Sequence, residues 1–139
     1  MTLDQQESDV RALVSALEWA HDSIYTENQT LAYLAACIGM EALLGEGQDG
    51  KESNLDQMSK RLADRYAYLM GNGRSDRKRL SAEYDEVRIL RGRLVHGRKA
   101  RLTVGEQATL HKAQTMLLNV IWKELRQMRG ERQIAGLLA

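Results

Sequence analysis

Residues 31–44 read Leu-Ala-Tyr-Leu-Ala-Ala-Cys-Ile-Gly-Met-Glu-Ala-Leu-Leu and would be apolar on almost every side of a helix. A helix of this kind is stable in water only when other elements cover it. The alanines and Gly39 would let a neighbouring helix approach closely. The stretch therefore predicts the most buried helix of an all-α protein.

Four further segments carry apolar residues every three or four positions, which is typical of amphipathic helices. The first is predicted over residues 4–26, capped by Asp4. Its expected buried stripe consists of Val10, Leu13, Val14, Leu17, Ala20 and Ile24. A glycine-containing loop at 45–50 then precedes a third helix, for which Ser53 and Asp56 resemble a capping box.

The fourth helix is expected to begin at Ser75 or Asp76, after the Gly-Asn-Gly sequence at 71–73, and to end near Gly97. Thr103 and Glu106 form a second capping box ahead of the fifth helix, which is expected to reach about Met128. Residues 130–139 are either a frayed tail or one more docked turn. Short loops between such helices predict an up-and-down bundle of four to five helices.

Length and composition agree with one all-α domain over residues 1–139. The chain has no Pro and no Phe, and 43% of its residues are hydrophobic, which favours a folded helical protein. Cys37 is its only cysteine, so neither a disulfide within the chain nor a cysteine zinc site is expected. Without a signal peptide or a long apolar run, the sequence predicts a cytoplasmic protein outside the membrane.

Positive charge is concentrated in residues 74–101, which contain ten Lys and Arg against four Asp and Glu. A local excess of this kind attracts polyanions, so RNA is a candidate partner. The alternative is an ordinary solvated helix face.

One residue breaks the apolar pattern of the fourth helix. Leu80, Tyr84, Val87 and Leu94 lie within about 80° of one another at 100° per residue, and Arg91 falls inside the same sector. A guanidinium there needs a carboxylate, another polar group, a subunit boundary or a phosphate as its partner, since burying it unpaired is costly.

His96 follows five residues after Arg91 and precedes Gly97, which is suited to end the helix. On an ideal helix the two side chains would point about 140° apart. Either the helix is distorted at Gly92, or two chains contribute to one cleft.

The stretch from Tyr84 to Gly97, with its Arg91-x4-His96 spacing, resembles the motif of HEPN domains. The upstream Tyr84, the His-Gly pair and the acidic helix element at 39–44 are most similar to the Apea-like branch. The resemblance covers roughly residues 30–125. In active members the residue after the Arg is often Asn, Asp or His, whereas this chain has Gly92.

The resemblance implies a helical bundle that forms a homodimer around the motif and acts as a metal-independent endoribonuclease. Such proteins often serve in phage defence or as toxins, sometimes beside an antitoxin or within a larger defence protein. Arg91 and His96 would be the catalytic residues: an imidazole can transfer a proton near neutral pH, and a guanidinium can hold a phosphate.

Other residues near the motif have a functional and a structural interpretation. Glu41 is the carboxylate expected closest to Arg91, either as its ion-pair partner or as part of the site. Tyr84 either supports the site or belongs to the core. Four basic residues surround the motif and either contact an RNA backbone or simply form a solvated helix end: Arg93, Arg98, Lys99 and Arg101.

No residues have the spacing of a metal site, and no cofactor is expected. The alternative to the nuclease is a noncatalytic helical module that binds RNA or another protein. In that case Arg91 and His96 would belong to a structural hydrogen-bond network.

Overall fold

The computed structural model describes residues 2–45, 55–97 and 101–138, with side chains described for 2–45, 60–97 and 101–130. These residues form five helices and no strand. The helices are α1 (Leu3–Tyr25), α2 (Gln29–Leu44), α3 (Leu55–Met70), α4 (Arg74–Val95) and α5 (Gln107–Leu138). The prediction of an all-α bundle is confirmed.

The apolar helix α2 lies at the centre of the bundle, as its composition predicts. It packs against each of the other four helices. Tyr33, Ala36 and Met40 have no exposed surface. Leu117 and Val120 of α5 and Val87 of α4 complete the same core.

Helices α1 and α5 are antiparallel neighbours. The Gln114 side chain, in the second turn of α5, donates to the Ser23 carbonyl near the end of α1 at 3.1 Å. About one turn further along α5, Leu117 lies close to Gly39, and so does Trp19, which is about one turn before Ser23 on α1. Later residues of α5 therefore meet earlier residues of α1.

Most helix ends follow local side-chain chemistry. The capping box before α5 is confirmed: the Thr103 N–H donates to Glu106 at 2.8 Å, and the Glu106 N–H donates to the Thr103 hydroxyl at 3.3 Å. Gly97 follows α4 with φ +71°, the left-handed conformation that glycine adopts without strain. The proposed Ser53 cap lies outside the described residues.

Three expected boundaries are wrong. Thr2 caps α1 in place of Asp4, because its hydroxyl accepts the Gln5 N–H. Neither Ser75 nor Asp76 caps α4, which begins after Gly73 without a side-chain cap. Helix α5 continues to Leu138 and does not stop near Met128, because nothing between 128 and 138 except Gly130 disfavours a helix.

The buried face of α1 also differs from the expected stripe. Its buried residues are Ala12, Leu13, Ala16, Ala20 and Ser23. Val10, Val14, Leu17 and Ile24 are exposed. The small side chains face inward because α1 packs tightly on α2, where Trp19 lies beside Gly39.

The close packing around Gly39 leads to a test. A Cβ atom at this position would lie 2.8 Å from the Leu117 Cδ2 atom and 3.2 Å from the Trp19 Cβ atom. We expect Gly39→Val to lower the free energy of unfolding by about 1–3 kcal/mol, because buried Leu117 has little room to move. Gly92→Ala is the matched control. A Cβ atom at position 92 would meet no atom within 4 Å, so the substitution should stabilise α4 by up to about 1 kcal/mol. Urea denaturation measures both, and equal effects would contradict this packing.

Candidate functional site

Arg91 and Glu41 form a two-point ion pair between α4 and α2. The Arg91 Nε donates to one Glu41 carboxylate oxygen at 3.1 Å, and the Arg91 NH2 group lies 3.0 Å from the other. The Arg91 side chain is 33% exposed and that of Glu41 is 27% exposed. A forked contact of this kind fixes the orientation of both groups. It also supplies the partner that the sequence pattern requires for Arg91.

Helical spacing places the pair beside a second contact between the same helices. Tyr33, Cys37 and Glu41 are four residues apart on α2, and Val87 and Arg91 are four apart on α4. The buried Tyr33 hydroxyl donates to the Val87 carbonyl at 2.6 Å. Two turns later on α2 and one turn later on α4, Glu41 meets Arg91. The two contacts together hold α4 in register against α2.

Burial shifts the pKa values of groups at the pair. Burial raises the pKa of Glu41 above its ordinary value, and Arg91 opposes that rise. Burial also raises the pKa of the Cys37 thiol to about 12, so Cys37 stays protonated and unreactive at neutral pH. The Arg91 side chain keeps 33% of its surface exposed, so a ligand could still reach it beside its partner Glu41.

His96 occupies the C-cap of α4 and is exposed to solvent. Its backbone N–H donates to the Gly92 carbonyl at 3.0 Å, so the helix continues in regular form past Gly92. Of the two alternatives for this motif, a helix distorted at Gly92 is therefore not found. Among the described residues, no hydrogen bond or ion pair joins His96 to Arg91. Arg91 faces α2 and His96 faces solvent.

The other candidate residues have different surroundings. Tyr84 is buried, its ring centroid lies 5.6 Å from that of Tyr66, and burial raises its pKa. It belongs to the core and cannot stack on a base. Arg93 and Arg101 are both exposed, whereas Arg98 and Lys99 lie outside the described residues.

The sequence interpretation missed the outer surface of α4. Ile89 and Val95 are exposed apolar residues on this surface, and Gly92 between them meets no neighbouring atom. At 100° per residue these three and His96 lie within a sector of about 120°. The signal was present in the spacing Ile89-x2-Gly92-x2-Val95, which follows the helical repeat outside the apolar sector of α4. We refer to Ile89, Gly92, Val95 and His96 as the outer face of α4.

Neither a metal site nor a membrane helix is found in the described part of the chain. No group of three or more His, Cys, Asp or Glu residues there is placed to hold a metal ion. None of the helices there is both long and apolar enough to cross a membrane. A groove of about 560 Å³ lies between α1 and α2, lined by Trp19, Tyr25 and Leu34 among others, and contains neither Arg91 nor His96.

Comparison of the chain with protein families, with curated proteins and with solved structures yields no match.

Proposed function

We propose that this chain is a metal-independent endoribonuclease whose site combines Arg91 and His96 from two copies. The observation that carries the proposal is the Arg91–Glu41 pair. Its two contacts orient the guanidinium at the end of α4 where the exposed His96 caps the helix, and leave part of it accessible. The resemblance of residues 84–97 to the HEPN motif supports the same assignment.

The chemistry requires a base, an acid and a cation at the phosphate. One His96 would take the proton from a ribose 2′-hydroxyl, whose oxygen attacks the adjacent phosphorus. A second His96 would donate a proton to the 5′-oxygen as its bond to phosphorus breaks. Arg91 would stabilise the negative charge on the phosphoryl oxygens. Because the nucleophile is the 2′-hydroxyl, the substrate is RNA and DNA is not cleaved.

Two copies are needed because one chain directs the two side chains differently. Arg91 faces α2 while His96 faces solvent, so neither a single His96 nor a single Arg91 completes the site. The outer face of α4 supports contact with a second α4. Exposed Ile89 and Val95 offer apolar surface, and the open space at Gly92 would allow the two helices to cross closely.

Charge supports RNA as the ligand of this end of α4. Arg93 and Arg101 are exposed, and the sequence places Arg98 and Lys99 between α4 and α5. Cations near a helix C-terminus are favourable without any ligand, yet such a cluster also attracts a phosphate backbone. A role in phage defence or as a toxin, and a partner antitoxin, follow from the resemblance; these and a cytoplasmic location belong to the proposal.

The proposal is tested by incubating the purified protein with mixed RNAs and with DNA of matched sequence in excess EDTA. The wild type is expected to cleave RNA and to leave DNA intact, whereas His96→Ala should cleave RNA at least about 10²-fold more slowly. Equal RNA cleavage by both proteins, or none by either, would contradict the proposal.

A noncatalytic helical module that binds RNA or protein is the second candidate. One observation favours it: the Arg91–Glu41 pair is complete within a single chain and already links α2 to α4. On this account Arg91 acts through stability alone, and the wild type binds RNA without cutting it. A gel-shift assay beside the cleavage assay separates the two functions.

A further inference from the structure

Helix α1 leaves large apolar side chains uncovered while it buries small ones. The exposed Val10, Val14 and Leu17 lie within a sector of about 60° at 100° per residue. On the other edge of α1, Trp19 lines the groove against α2. Since α1 packs against α2 and α5, the edge that carries the exposed residues adjoins α5.

Helix α5 has a matching exposed row. Leu118, Trp122 and Leu125 follow Gln114 at intervals of four, eight and eleven residues, so they lie on the side of α5 from which Gln114 reaches Ser23 of α1. The two rows therefore border the same α1–α5 seam on the outside of the bundle. We define the α1–α5 face as Val10, Val14, Leu17, Leu118, Trp122 and Leu125.

The α1–α5 face is large enough for a stable protein interface. Its six side chains are between 37% and 63% exposed, with Trp122 the most exposed. Their uncovered surface amounts to about 500 Å², which approaches the apolar share of a standard interface that buries about 800 Å² on each partner. A central tryptophan is also a common energetic anchor of such interfaces.

Charge on the two helices favours a second copy of the chain as the occupant. Helix α1 carries five Asp and Glu against one Arg, whereas residues 107–130 of α5 carry four Lys and Arg against one Glu. In a two-fold dimer with its axis parallel to these helices, α1 of each copy lies antiparallel over α5 of the other. The acidic α1 of each copy then faces the basic α5 of the other, and the apolar rows meet between them.

We propose that two copies of this chain associate through the α1–α5 face, with α1 of one copy over α5 of the other. This interface is separate from the outer face of α4, because α4 packs against α2 and α3 while α1 packs against α2 and α5. The inference therefore stands or falls independently of the proposed nuclease site.

Disulfide trapping tests the arrangement. Leu17 lies six residues before Ser23 on α1 and Leu118 lies four residues after Gln114 on antiparallel α5, so the two lie within about 3 Å of the same level along the bundle. In a Cys37→Ala background that keeps Trp122, chains with Leu17→Cys are mixed with chains with Leu118→Cys under mild oxidation. We expect a covalent dimer in the mixture and little from either chain alone. Absence of a dimer in the mixture, or equal dimers from the single chains, would overturn the proposal.

The mass in solution provides a second readout. Trp122→Glu should weaken association by about tenfold or more and lower the average mass measured by sedimentation. Tyr68→Glu replaces another exposed aromatic residue, on α3, and should leave the mass unchanged. Circular dichroism checks that both variants remain helical. An unchanged mass for Trp122→Glu, or a monomeric wild type at concentrations of about 100 µM, would also overturn the proposal.

Discussion

Replacing Arg91 with alanine is expected to lower the free energy of unfolding by about 2 kcal/mol and to abolish RNA cleavage. The loss of stability follows because Glu41, only 27% exposed, is left without the guanidinium that contacts both of its oxygens. The loss of cleavage follows because no other group in the proposed site stabilises the phosphate. Chemical denaturation and a cleavage assay measure the two effects.

Arg88 on the same helix is the matched control. It pairs with Asp85 at 2.7 Å, but these side chains are 36% and 42% exposed. Surface pairs contribute little, so Arg88→Ala should cost less than about 1 kcal/mol. The double variant Arg91→Ala/Glu41→Ala should recover part of the stability that Arg91→Ala loses, because no carboxylate is then stranded. If Arg91→Ala and Arg88→Ala were equally stable, the pair would not hold α4 to α2.

The pH dependence of Arg91→Ala follows from Glu41. Burial already raises the pKa of Glu41 above its ordinary value, and removing Arg91 removes the group that lowers it. A carboxyl whose pKa is raised by folding stabilises the protein below its unfolded pKa, and this contribution is lost as the pH rises through the folded pKa. The defect of Arg91→Ala should therefore shrink as the pH falls from about 7 towards 4.5, the ordinary pKa of a glutamate side chain. A defect that grows on acidification would contradict this assignment.

Substituting His96 with alanine is expected to reduce the rate of RNA cleavage by about 10²- to 10⁴-fold, the usual contribution of a general acid or base. The melting temperature should change by no more than about 1 °C, because His96 is exposed and the cap uses only its backbone N–H. Rate measurements and thermal melts on the same preparation test both parts.

His111→Ala provides the control for the His96 variant, since His111 is an exposed histidine on α5. It should retain both cleavage and melting temperature. A His96 variant that melts well below the wild type, or that still cleaves at the wild-type rate, would favour the structural interpretation of the motif.

The sequence predicts the helices better than it predicts their faces. The apolar run at 31–44 is sufficient to place α2 in the centre, because a helix that is apolar on nearly every side is stable only when other helices surround it. On α1 the same logic ranked Val14 and Leu17 above Ala12 and Ala16 as core residues. The contact of Trp19 with Gly39 selects the small side chains instead, and this contact depends on two segments that are twenty residues apart.

In the candidate site, too, the sequence predicts some contacts, whereas others depend on how the helices pack. An arginine in an apolar sector predicts that a partner exists, and Glu41 on the most apolar helix was the evident carboxylate. The contact of Tyr33 with the Val87 carbonyl could not be foreseen, because every helical residue presents a carbonyl and only the packing of α2 on α4 selects one. The catalytic roles of Arg91 and His96 remain predictions.

The chemical ends of the RNA products test the central claim most directly. In excess EDTA, attack by a 2′-hydroxyl must leave a 2′,3′-cyclic phosphate on one fragment and a 5′-hydroxyl on the other, and mass spectrometry distinguishes these ends from hydrolysis products. We predict cyclic phosphate ends with the wild-type protein and at least about 10²-fold fewer of them with His96→Ala in the same time. Fragments that carry 5′-phosphates, or intact RNA after prolonged incubation with the wild type, would contradict the account.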